Sequence, residues 1–144
     1  MPNLIRRSIL VTWLVLPMLL LSSSVWSGSY LNRAALLVEG ARAERDMVWP
    51  RHTDKELVRL VYGIARARTE SARGMEVPKS VAPAHPHLLL ILENCERAYA
   101  AAIAGSHEKF VEHILRARRE DKTFRALIRK LGYTLPPPRP PRKN

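Results

Sequence analysis

Apolar residues return at every third or fourth position in four separate stretches of this chain, and no stretch alternates apolar with polar residues. A three-and-four spacing gives each stretch one buried helical stripe, while the missing period of two leaves no half-buried strand. The expected fold class is therefore all-α.

From Ser29 to Val48 the stripe reads Leu31, Ala34, Ala35, Val38, Ala41 and Val48, and Trp49-Pro50 ends it. Thr53-Asp54-Lys55-Glu56 reads as a capping box, with Thr53 meeting a free amide and Glu56 reaching back. The second helix then shows Leu57, Leu60, Val61, Ile64, Ala65 and Ala72, and stops near Gly74. The third begins around Pro86 or His87 and runs to Gly105, a helix-terminating glycine. Its apolar face carries Leu88, Leu92, Cys95 and Tyr99. Ser106 caps the fourth, whose seam is Phe110, Ile114, Ala117, Asp121, Phe124, Ile128 and Leu131, closed by Gly132.

Four one-striped helices with short connectors bury those stripes best around a common core, as an up-down bundle of about four helices. The third and fourth should form a tight antiparallel hairpin. An extended hairpin completed by homodimerisation is the alternative, because the Ala-rich seams of helices one and three suit both. Residues 28–135 form the domain, long enough to bury roughly two-thirds of its unfolded surface. The connector from Gly74 to Pro86 carries three prolines and reads as a stiff spacer, unless it wraps the bundle end or presents a binding surface.

Residues 1–27 read as an address. Arg6 and Arg7 precede an apolar run to Leu21 and a small, polar segment, the layout of an export signal. Cleavage before Gly28, with Val25 and Ser27 at the flanking small-residue positions, fits this layout. The stretch Ser8 to Tyr30 is also 23 residues without a charge, enough for a single-pass anchor with Trp26 and Tyr30 at the interface. Either way the remaining chain is expected outside the cytoplasm, in the periplasm or secreted after cleavage, or else tethered to the membrane.

The chain carries 24 Lys+Arg against 13 Asp+Glu, a net charge of +11, with the excess in the last forty residues. Such a surface attracts polyanions by counterion release. For an exported protein, anionic membrane surfaces or acidic envelope partners rank above nucleic acid. The most specific feature is a basic stripe. Arg118, Lys122, Arg125 and Arg129 are spaced four, three and four along helix four, so they share a face. Arg116 and Arg119 widen the patch, and Arg139, Arg142 and Lys143 continue it in the Pro/Arg-rich tail 136–144.

Motifs for catalysis are missing. There is no glycine-rich phosphate loop, nucleophile elbow, zinc-protease helix or haem-attachment sequence, and one cysteine permits no intrachain disulfide. The expectation is a non-enzymatic envelope protein with no cofactor, acting as an interaction or structural module through its basic face. The alternative is a periplasmic metal or small-ligand carrier. In an up-down bundle the first connector and the third turn share one end, which brings His52 toward His107, and imidazole suits zinc, copper or nickel.

Overall fold

The computed structural model describes residues 27–136, and within them the chain is helical and without strands. Helix α1 covers residues 27–48 and leads into a 3-10 turn, Trp49–Arg51. Helices α2 (Lys55–Arg73), α3 (His85–Ile103) and α4 (His107–Lys130) follow. Of the expected signal or anchor, residues 1–27, all but Ser27, which belongs to α1, lies outside the described residues, as does the tail beyond 136 with Arg139, Arg142 and Lys143. Among the described residues no helix is long and apolar enough to cross a membrane.

Local chemistry sets the helix ends, with two departures from expectation. Asp54 caps α2, not Thr53: its extended backbone lets Oδ1 accept from the Leu57 amide at 3.1 Å. Ser106 stands at the start of α4, but its hydroxyl makes no capping bond. Its amide instead closes α3, donating to the Ala101 carbonyl at 2.9 Å while the Gly105 amide donates to Ala102 at 3.0 Å. Gly105 at φ +79° supplies the left-handed residue that this double bond needs. One three-residue joint thus serves both helices. Gly132, at φ +85°, ends α4 in the same way.

Cross-helix contacts give the order of the bundle. Arg68 of α2 meets Glu44 of α1, Arg73 of α2 meets Glu93 of α3, His113 of α4 meets Asn94 of α3, and Arg125 of α4 meets Glu39 of α1. Each helix therefore neighbours the next, α4 closes the ring against α1, and the ring runs up-down-up-down. The α3–α4 pairing is more extensive than α2–α3, as expected for a hairpin joined by so short a loop.

The core is built mainly by α3 and α4. Leu88, Ile91, Leu92, Cys95 and Tyr99 interlock with Phe110, Ile114, Ala117, Phe124 and Ile128, all essentially buried. The α2 stripe differs from the expected one. Leu60 and Ile64 are 66% and 44% exposed, while Val58, Val61, Ala65, Thr69 and Ala72 face inward. Thr69 tolerates burial because its hydroxyl donates to the Ala65 carbonyl at 3.0 Å. The connector 74–84 is no free spacer: Val81 and Ala84 are fully buried and close the end of the bundle.

Candidate functional site

Four polar assemblies stand on this frame, and the basic stripe divides among them. Arg125 is committed internally, its guanidinium donating to Glu39 at 2.7 Å and to Asp121 at 2.8 Å. It rivets α4 to α1, so its charge is shared between two carboxylates. Arg116 is occupied by Glu112 one turn back. Arg118 lies over the Trp49 ring, 5.2 Å from its centroid, a cation–π contact between the first connector and α4. Arg119, Lys122 and Arg129 are exposed. Among the described residues, Arg118, Arg119, Lys122 and Arg129 have no carboxylate within ion-pair reach.

Beside Trp49 an aromatic stack crosses the same end. Phe110 is buried 5.8 Å from Trp49, His52 lies parallel to Phe110 at 4.9 Å, and His107 follows at 4.7 Å from His52. His52 Nε2 and His107 Nδ1 are 2.8 Å apart, so the topology has joined the two imidazoles that the sequence brought toward one end. His52 Nδ1 lies 3.0 Å from the Trp49 carbonyl, which can only accept. That fixes the proton on Nδ1, so Nε2 accepts from His107 Nδ1–H. A metal would have to displace the shared proton, and the pair supplies two nitrogens. Among the described residues no third His, Cys, Asp or Glu completes a site.

A third assembly is buried and was not read from the sequence. Arg45, 3% exposed, extends from α1 into the core, with Nη1 3.7 Å from Cys95 Sγ and Nη2 3.8 Å from Asp121 Oδ2. Its Nε and the Tyr99 hydroxyl are buried without a hydrogen-bond partner among the described residues. Burial pushes the Cys95 thiol up despite the neighbouring guanidinium, and pushes the Tyr99 phenol up as well. Both therefore stay neutral, and Cys95 is an inert core residue. The available signals were Arg45 at helical spacing from Val38, Ala41 and Val48, and Asp121 inside an apolar seam.

The fourth assembly joins the ends of the described chain. Ser27 on α1 is buried, its Oγ 2.9 Å from Ser80 Oγ in the connector, and the Tyr133 hydroxyl hydrogen-bonds both serines, which lowers its pKa. Nearby, Tyr30 pairs with His85 Nδ1 at 3.1 Å, and burial raises the Tyr30 phenol to about 12. The described chain thus starts and finishes at the pole opposite the Trp49 stack.

Comparison with models of known protein families, with characterised proteins and with solved structures finds no match for this chain.

Proposed function

We propose that this chain is an exported, non-enzymatic helical-bundle protein of the cell envelope, whose basic C-terminal face is its contact surface for anionic membrane. The observation that carries this reading is a group of α4 cations that have no carboxylate within ion-pair reach among the described residues, Arg118, Arg119, Lys122 and Arg129 among them. A protein that used its Arg residues only for cohesion would pair them as Arg125 is paired. Each unneutralised cation is worth roughly 1 kcal/mol against an anionic surface. The Ser27–Tyr133 junction supports the same reading, because an N-terminal anchor and the tail cations Arg139, Arg142 and Lys143 would then leave the bundle at one pole.

The test is co-sedimentation of the full chain with anionic and with zwitterionic vesicles as salt is raised. Replacing Arg118, Lys122 and Arg129 by Gln, together with removal of residues 137–144, should abolish the anionic, salt-sensitive part of the binding. The N-terminal segment is common to both proteins, so it cancels. Binding unchanged by these substitutions removes the proposal.

The second reading, metal carriage, is favoured by one contact, the His52–His107 pair. A carrier gains thermal stability with its ligand by mass action, so zinc, copper or nickel should raise the melting temperature and His107→Gln should cancel the rise. No response to these metals disposes of it.

A further inference from the structure

We infer that the bundle lies along the bilayer on its α1–α4 side, with Trp49 as the interfacial anchor at the end far from Ser27. This rests on the membrane-contact reading above and adds an orientation and an apolar component to it. The stripe is not purely basic. Leu115 precedes Arg118, Lys122 and Arg129 by three, seven and fourteen residues, so all four project from one face of α4. Leu115 is 43% exposed and Trp49, under the Arg118 guanidinium, is 39% exposed, although both are large and apolar.

The distribution of charge selects the occupant. The acids Glu39 and Asp121 where α1 meets α4 are both engaged by Arg125, and Asp121 also faces Arg45. Glu44 is taken by Arg68 of α2, while the exposed Asp46, one turn before Trp49, and the exposed Glu108, seven residues before Leu115 on the same face of α4, offset part of the cations. Arg118, Arg119, Lys122 and Arg129 outnumber these two acids, so the net charge along the face is positive and complements an anionic surface. Tryptophan belongs at the depth of lipid headgroups, where its ring is half in hydrocarbon and its N–H in the polar layer. Arg118 over that ring carries its charge to the same depth, and the buried Phe110 ring beneath fixes the indole from behind. An acidic protein partner would match the charges, but phosphate headgroups over acyl chains match both the cations and the exposed Trp49 and Leu115.

The face also has the right length. Helix α4 has 24 residues, about 36 Å at the usual rise, and spans from the Trp49 stack to the junction with Ser27. A chain tethered at the Ser27 pole and lying flat engages Arg129, Lys122, Arg118 and then Trp49 in order. A chain standing upright on that pole would leave Trp49 in water.

The experiment uses the full chain with Trp13→Phe and Trp26→Phe, so that Trp49 is its lone tryptophan, reconstituted into phosphatidylglycerol or phosphatidylcholine vesicles. In phosphatidylglycerol, Trp49 emission should shift to the blue and be quenched by brominated acyl chains. In phosphatidylcholine, or at high salt, it should remain open to aqueous quenchers. Leu115→Glu, at an exposed position that leaves helicity intact, should lower salt-sensitive vesicle affinity at least about tenfold. Trp49 equally open to water in both lipids, with salt-sensitive binding retained, overturns the flat orientation and leaves the membrane-contact reading standing. Loss of salt-sensitive binding to both lipids overturns the two together, as does binding confined to an acidic protein.

Discussion

The guanidinium of Arg45 faces the carboxylate of Asp121 at 3.8 Å across the α1–α4 seam, with Arg45 nearly sealed from water and Asp121 also held by Arg125. The pair is unequal, because Asp121 has a second cation while Arg45 has no other carboxylate in ion-pair reach among the described residues.

That inequality predicts opposite outcomes at its two ends. Asp121→Asn strips Arg45 of its counter-charge and should cost about 3–5 kcal/mol in chemical denaturation, since an unpaired buried charge remains. Arg45→Met removes the buried charge together with its orphaned Nε, and should be neutral or stabilising. Equal losses for the two variants would show that the pair is worth more than its desolvation.

Tyr99→Phe deletes a buried hydroxyl that has no hydrogen-bond partner among the described residues. The variant should be as stable as the parent or more stable by up to about 1 kcal/mol. A clear loss of stability would mean that an ordered water satisfies the hydroxyl.

Acid should loosen the bundle. Burial lowers the folded pKa of His85, on Tyr30, and of His113, on Asn94, from the ordinary 6.5; for His113 the cations Arg116, Arg97 and Lys109 push the same way and Glu112 opposes them. The unfolded chain therefore takes up protons first, and stability falls as pH drops below 6.5. Melting temperature against pH should show this decline, and His85→Gln with His113→Gln should flatten it. A slope that persists in the double variant would assign the effect to other groups.

The two faces of α2 give a direct contrast. Leu60→Gln should change stability by less than about 0.5 kcal/mol because the side chain already stands in water. Val61→Ala, on the buried face of the same helix, should cost about 2 kcal/mol. The same pair of substitutions, read by denaturant midpoint, checks which stripe faces inward.

What the sequence made legible follows from which signals have no rival. In α4, Phe110, Ile114, Ala117, Phe124 and Ile128 are large or small apolar residues among charges, so only one face could turn inward. In α2 the two candidate faces compete: Leu60 and Ile64 outweigh Val58 and Thr69 in hydrophobicity, but Arg68 faces α1 to meet Glu44 and rotates them out. Thr53 and Asp54 are both good caps one residue apart, and only backbone geometry chooses between them. The His52–His107 contact was readable because topology alone sets it. Arg45 was hidden, since a cation in an apolar stripe looks like an interruption until its partner on another helix is known.

The junction of Ser27, Ser80 and Tyr133 has a mechanical consequence. Because α1 enters and α4 leaves at the same pole, a force applied to the two ends pulls neighbouring helices apart from one side. The bundle then opens as a zipper. The serine–tyrosine cluster yields first, followed by Glu39 from Arg125, Arg45 from Asp121, and Arg118 from Trp49, each bearing the load alone. A protein so built resists shear along its length far better than tension between its ends, and lying flat on a surface would shield it from the pull it is least able to bear.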